Sequence, residues 1–216
     1  MRKIIAATFV SLDGVMQAPG GPEEDPVGGF EFGGWTFHYF DEVAGAAMEE
    51  MFSKPFDLLL GRRTYDIFAA YWPYQKDPIA DVFNPATKYV ATHRPETLAW
   101  ENTQSLGSDV VAALRRLKHE DGPDLLIQGS GELIQTLLAN GLIDEIRLMI
   151  FPLLLGKGKR LFGDDAMPGA FKLVGSQTSS TGVIMATYER GGEIKVGSFA
   201  QEEPSQAELE RRRNWK

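Results

Sequence analysis

Three short stretches of this chain place anion-handling side chains directly after an apolar run. The first is Leu58-Leu59-Leu60-Gly61 followed by Arg62, Arg63, Thr64 and Tyr65. A strand that stops at glycine and feeds a helix leaves free backbone N–H groups at the positive end of a helix dipole. A guanidinium fork and a hydroxyl beside them, Arg62 and Thr64, are the chemistry of a phosphate site. The spacing is not that of a Walker loop, and the same two residues would serve equally as the start of a surface helix. The second stretch is Gly129-Ser130-Gly131-Glu132 after the apolar Leu125–Gln128. Glycines there let a backbone approach a pyrophosphate, although Ile134 replaces the third glycine of a dinucleotide fingerprint and the ribose-binding acid is missing. A tight turn without a ligand fits these residues as well. The third is Thr92-His93-Arg94 after Lys88–Thr92. With Arg62 this cationic pair suits the 2′-phosphate that separates NADPH from NADH, or Arg94-Pro95 simply opens a solvated loop.

Other candidates are more local. Ser11-Leu12-Asp13-Gly14 ends the first apolar run, and Asp13 either holds a substrate amide or amino group or forms an Asp-Gly turn. Gly156-Lys157-Gly158-Lys159-Arg160 is a basic glycine loop that would meet a substrate phosphate or stand in solvent. Phe30, Phe32, Trp35 and Phe37 lie among glycines and would cover a planar ring or pack a long loop down. The chain has no cysteine, which removes thiol catalysis and thiolate metal sites. Its 3 histidines show no metal-site spacing, so no metal is expected. A G-x-S-x-G elbow is absent as well, which argues against a serine hydrolase.

The net charge of −8 speaks against a nucleic-acid partner. The first ten residues have a positive start and an apolar stretch, but Ser11, Asp13 and Gly14 interrupt it too early for a signal peptide. No run is long enough to span a bilayer, and the expected setting is cytoplasmic, with no membrane partner.

These turns need elements to hold them. Apolar runs predict strands at Ile4–Leu12, Phe56–Leu60, Lys88–Thr92, Leu125–Gln128 and Glu145–Phe151, with a hairpin of Phe171–Ser180 and Val183–Arg190. Helical spacing predicts helices at Phe37–Phe52, Arg63–Tyr71, Val110–Lys118 and Glu132–Ala139. Asp13–Gly34 and Pro73–Pro85 read as loops. Residues 1–190 read as one domain and 191–216 as a polar tail, in which Pro204–Lys216 forms a charged helix or stays disordered. The alternation implies a three-layer α/β domain with a mostly parallel sheet and antiparallel C-terminal edge strands. In such sheets ligands lie beyond the carboxyl ends of the strands, where all three turns would line one site.

In order along the chain, Ser11-Leu12-Asp13-Gly14, Leu60-Gly61-Arg62-Arg63-Thr64-Tyr65, Gln128-Gly129-Ser130-Gly131, and Asp144-Glu145-Ile146 with Pro152-Leu153-Leu154-Leu155-Gly156-Lys157-Gly158 resemble the dihydrofolate reductase superfamily. The branch most similar is the reductase domain of the riboflavin-biosynthesis deaminase–reductase, here as a stand-alone member. The resemblance covers roughly residues 2–190.

It implies a dihydrofolate-reductase-like fold, NADPH as hydride donor and a homodimer. Gly61, Arg62 and Thr64 would bind cofactor phosphate. Thr92, His93 and Arg94 would approach the adenosine 2′-phosphate, and Gly129, Ser130, Gly131 and Glu132 the pyrophosphate and nicotinamide. Ser11, Asp13, Gly14, Trp35, Gln128 and Lys157 would face the substrate, with Asp13 as the catalytic candidate. The activity implied is hydride transfer to a C=N or C=O, as in 5-amino-6-(5-phosphoribosylamino)uracil reduction. The other readings are an NADP(H)-binding protein without turnover and a pterin or dihydrofolate reductase. Two departures weigh on these. The family's helix acid is replaced by Gly45, with Asp41, Glu42 and Glu49 nearby but out of register. Gln128 stands where the riboflavin reductases carry Glu.

Overall fold

The computed structural model describes residues 1–163, 166–199 and 203–215. Its strands are β1 (Ile4–Ser11), β2 (Phe56–Gly61), β3 (Lys88–Ala91), β4 (Thr103–Ser105), β5 (Asp124–Ile127), β6 (Glu145–Phe151), β7 (Ala170–Thr178) and β8 (Ile184–Gly192). They form one sheet in the order β4-β3-β2-β5-β1-β6-β8-β7. The first six strands are parallel, whereas β8 joins β6 and β7 joins β8 antiparallel. The helices are α1 (Glu42–Phe52), α2 (Arg62–Tyr71), α3 (Pro78–Phe83), α4 (Val110–Leu117), α5 (Gly131–Ala139) and α6 (Gln206–Asn214). This is the three-layer, mostly parallel arrangement with antiparallel edge strands expected from the sequence.

The layers follow from side-chain alternation. Ile4, Ala6 and Val10 of β1, with Leu59, Leu125 and Ile127, pack against Leu114 and Leu117 of α4 and Ile134 and Leu137 of α5. Ile5, Ala7 and Leu126 point the other way, onto Met51 and Phe52 of α1. Leu58, Leu59 and Leu60 are all fully buried, because β2 is covered on both faces. Truncating any of the three to alanine would cost about 2–5 kcal/mol.

Local chemistry redraws some expected elements. The helix expected at Phe37–Phe52 is a short 3-10 turn, Phe37–Tyr39, and then α1. Asp41 is the cause: it is extended and its carboxylate accepts from Ala44 N at 2.9 Å, which starts a new helix. The loop expected at Pro73–Pro85 contains α3, which Asp77 caps through Ile79 N (2.9 Å) and Ala80 N (3.0 Å), with Pro78 in the first turn. Phe83 of α3 is fully buried against Phe52, Phe56, Phe68 and Trp72. A short edge strand, β4, was also not expected; it pairs with β3 at Lys88↔Thr103. Strand β8 runs to Gly192, and α6 is capped by Ser205, with Glu208 paired to Arg211 and Arg212. No helix among the described residues is long and apolar enough to cross a membrane.

Candidate functional site

Strands β3, β2 and β5 are neighbours and parallel, so their carboxyl ends, Ala91, Gly61 and Ile127, lie on one edge. The three sequence turns therefore converge. One cavity of about 2230 Å³ opens there, lined by all of Gly61, Arg62, Thr64, Thr92, His93, Arg94, Gln128, Gly129, Ser130, Gly131 and Glu132.

A hydroxyl relay holds two of the turns together. Gly61 N donates to Ser130 Oγ at 2.8 Å, and Ser130 Oγ donates to Thr64 Oγ1 at 2.7 Å. The approach requires glycine, since a Cβ on Gly61 would lie 2.5 Å from Ser130 Oγ. Ser130 adopts a left-handed backbone (φ 78°, ψ 73°), a strain of about 1–2 kcal/mol for a side chain of this kind.

The relay has an electrostatic consequence. Helices α1, α3, α4 and α6 are each capped by a side chain: Asp41, Asp77, Asp109 and Ser205. Helices α2 and α5 have none, because Gly61 has no side chain and the Ser130 hydroxyl is engaged by Gly61 and Thr64. Both uncapped N-termini border the cavity, as do the starts of α3 and α4, whose N–H groups Asp77 and Asp109 already engage. Free N–H groups and two positive dipole ends on that edge have the chemistry that would suit an anion.

Arg62 lies on the cavity wall, but its fork is engaged. Nε and Nη2 bind Asp66 at 3.0 and 2.8 Å, and Nη1 donates to Thr97 Oγ1, to Arg94 O (3.2 Å) and to Thr92 Oγ1 (3.4 Å). The hydrogen bonds to Asp66 raise the guanidinium pKa further. Arg62 thus braces the turn after β3, whose own hydrogen bond runs from Arg94 N to Thr92 Oγ1 at 3.0 Å. His93 and Arg94 are exposed on that turn. Arg63, which the sequence reading passed over, is also exposed and also lines the cavity. Gln128 reaches across to α1, with Nε2 3.7 Å from Met51 Sδ.

The other substrate and catalytic candidates are not brought to the cavity wall. Asp13 is a clamp. Its carboxylate accepts from Ser11 Oγ (2.6 Å), Gly156 N (2.8 Å) and Leu155 N (3.1 Å). The Ser11 hydroxyl is the largest cause of a pKa lowered to about 2. A carboxylate so held is anionic at neutral pH and its acceptors are already used, so it has no proton to donate. Ser11 is buried and also accepts from Val15 N at 2.9 Å, and Gly14 (φ 80°) completes the turn. Trp35 is buried against Phe151 (5.2 Å between rings) and donates to Gln17 O at 2.8 Å. Lys157 is exposed on the turn that Asp13 holds. From the basic loop, Lys159 and Arg160 do line the cavity, with Lys159 paired to Asp25 and Arg160 lying 3.7 Å from Asp13.

Two further walls come from segments that supplied no site residue in the sequence analysis, Met16–Asp25 and α1. Met16–Asp25, from the long glycine-rich segment, lines the cavity and is ordered around Gln17. The Gln17 amide donates to Asp25 O and Val27 O, both at 2.9 Å, and accepts from Lys159 N at 2.9 Å. Helix α1 supplies Gly45, Met48, Glu49 and Phe52, one helical stripe at spacings of three and four. A Cβ on Gly45 would meet nothing within 4 Å. A glycine inside a helix costs about 0.5–1 kcal/mol relative to alanine, so this one forgoes stability to leave space above the helix. That periodicity was the signal available for Glu49.

Known proteins place this geometry. The chain is 28% identical over 203 residues to the uncharacterized Bacillus subtilis (strain 168) protein YyaP, covering 88% of this chain and 96% of YyaP. A crystal structure of a riboflavin biosynthesis protein from Shewanella sp. PV-4 matches with a TM-score of 0.55 at 25% identity, covering 88% of this chain and 99% of that one. The Thermotoga maritima diaminohydroxyphosphoribosylaminopyrimidine deaminase/5-amino-6-(5-phosphoribosylamino)uracil reductase shares the fold, with a TM-score of 0.56 at 17% identity. That match covers 88% of this chain and 57% of the two-activity protein. Enterococcus faecalis dihydrofolate reductase, solved with NADP(H), shares it at a TM-score of 0.55 and 14% identity, covering 88% and 96%. The RibD C-terminal domain model matches residues 2–185, and the chain belongs to that family.

Proposed function

We propose that this protein is an NADPH-dependent reductase of the riboflavin-biosynthesis type, passing hydride to a C=N or C=O carbon of an aminopyrimidine. The observation that carries this reading is the pair of uncapped helix N-termini, α2 and α5, bordering one cavity beside the exposed Arg63, His93 and Arg94. Family membership and the fold shared with a uracil reductase and with an NADP(H)-bound reductase support it. The residues present fit a dinucleotide phosphate. The amides at the starts of α2 and α5 would hold the pyrophosphate, and His93 and Arg94 the 2′-phosphate. NADPH supplies the hydride when bound; the chain supplies position and field. The Gly61–Ser130–Thr64 relay keeps the two amide edges at fixed separation, Arg62 holds the 92–94 turn in place, and Gln128 faces the substrate from the end of β5. In this reading Asp13 shapes the turn at Leu155–Gly156 and transfers no proton.

A homodimer is part of the proposal. Strand β7 is a sheet edge with Phe171, Leu173 and Val174 more than one-third exposed, and Ile184 of β8 adds to that surface. An apolar edge strand of this length is normally covered, and a second copy would cover it. Light scattering on the purified protein tests this point, and a monomer mass would remove it.

The deciding experiment for the function is a fluorescence titration with NADPH and separately with NADH. Micromolar binding with a preference for NADPH is the expected outcome. No binding of either nucleotide would overturn the reading.

A further inference from the structure

The cavity's charges are unevenly distributed. Its basic side chains, Arg62, Arg63, His93, Arg94, Lys159 and Arg160, come from the strand-end turns, the start of α2 and the 156–160 loop. Arg62, Lys159 and Arg160 already face Asp66, Asp25 and Asp13. The half between α1, α2 and α3 is different. Its wall on α1 is the stripe Gly45, Met48, Glu49 and Phe52, and the facing wall includes Ile67, Tyr71, Ile79 and Val82. Neither α1 nor α3 contains a basic residue, and the only arginines of α2 are in its first turn. Tyr71 stands eight residues beyond Arg63, about 12 Å along the helix axis. Two carboxylates in this region are engaged, Asp77 as the cap of α3 and Asp66 with Arg62. Glu49 is exposed and lines the cavity, and among the described residues neither a hydrogen bond nor an ion pair engages its carboxylate.

Ile67 stands one turn, about 6 Å, beyond Arg63 and Tyr71 two turns beyond it, so an anionic group lying against Tyr71 and the α1 stripe would stand away from that guanidinium and next to an unneutralised carboxylate. Like charges brought close together repel, and an unpaired charge near apolar walls loses hydration. An apolar group suits the same walls, and the space above Gly45 admits a flat one against the helix.

Resting on the reductase reading above, we propose that the α1 stripe receives the substituent of the substrate ring, and that this substituent is unphosphorylated, with an apolar body and an N–H donor for Glu49. The chain would then act on a ring of the aminopyrimidine type that lacks the 5-phosphoribosyl group named for the Thermotoga maritima reductase.

The test is a calorimetric binding series on the full chain, with and without NADPH. The three probes share the 5-amino-6-aminouracil ring and carry phosphoribosyl, ribosyl or benzyl on the 6-amino nitrogen. The expected result is that the benzyl and ribosyl compounds bind at least about tenfold more tightly than the phosphoribosyl one, the scale of one like-charge contact near a protein surface. Glu49→Lys, a change at an exposed position, should reverse that order, and Glu49→Gln should reduce the difference. Tightest binding of the phosphoribosyl compound to the unaltered chain, an order unchanged by Glu49→Lys, or binding of none of the three would each overturn the proposal. Failure of NADPH to bind would overturn the reductase reading instead, and the series without cofactor still decides the substituent.

Discussion

The backbone N–H of Gly61 donates to the Ser130 hydroxyl at 2.8 Å, across 69 residues of sequence. This contact joins the carboxyl end of β2 to the start of α5. It also diverts the one side chain that would have capped α5. One hydroxyl therefore leaves the start of α5 uncapped and ties it to the start of α2, which glycine leaves uncapped.

Gly61→Ala should be destabilising by about 1–3 kcal/mol, because the new methyl group overlaps Ser130 Oγ and Cβ. Ser130→Ala removes the same hydrogen bonds without the overlap and should cost about 1 kcal/mol. Urea unfolding of the two variants separates overlap from lost bonding. Equal effects would mean that the close approach relaxes without penalty.

For the turn after β3, Arg62→Ala should weaken NADPH binding by about 1–3 kcal/mol through loss of the brace on Thr92, Arg94 and Thr97. Arg94→Ala should narrow the preference for NADPH over NADH while leaving NADH affinity unchanged. Parallel nucleotide titrations check both; an unaltered preference in Arg94→Ala would place the 2′-phosphate elsewhere.

Asp13 predicts an acid-side dependence of stability. Its folded pKa is about 2, below the ordinary 3.8, chiefly because of the Ser11 hydroxyl. A lowered carboxyl pKa contributes stability that is present above the unfolded value and is lost as pH falls from about 4 through 2. The contribution is about 1 kcal/mol, discounted for a site at the surface. Asp13→Asn should flatten that part of the pH–stability curve and leave NADPH affinity intact, since Asp13 is not on the cavity wall. Lost cofactor binding in this variant would return Asp13 to the site.

Lys88 predicts a dependence at the opposite end. It is fully buried, its ammonium lies 4.1 Å from the Trp100 ring centre, and it donates to Asn84 O and Glu101 O. Burial lowers its pKa to about 8, from 10.5. The folded chain releases this proton earlier than the unfolded chain does, so unfolding free energy should rise between pH 8 and 10.5. Lys88→Met should abolish the rise, as measured by denaturant midpoints across that range.

The elements nearest the cavity were legible because their signals are local. An apolar run ending in Gly61 or in Gln128-Gly129 states both where a strand stops and that a helix follows. Asp77-Pro78 carried an equally local helix start, which was hidden by the surrounding prolines. The break at Asp41 was not visible in the same way. Phe40 to Met51 keeps helical spacing, and only the bonds from Asp41 to Ala44 N and to Ser180, 139 residues away, show where α1 begins.

The sequence by itself determined the layers, the mostly parallel sheet and the three strand-end turns that line the cavity, because strand ends, glycines and helix periodicity act over a few residues. Tertiary structure alone decided which side chains are free. Arg62 and Asp13 have the right chemistry for a ligand, yet their charges are used on Asp66 and Thr97, and on Ser11 and Gly156. Arg63 and Glu49, passed over or out of register in the sequence, line the cavity without a hydrogen-bond or ion-pair partner among the described residues. A charged group bonds whatever the fold brings within about 3 Å, and those neighbours are set by the pairing of distant strands, which no local pattern records.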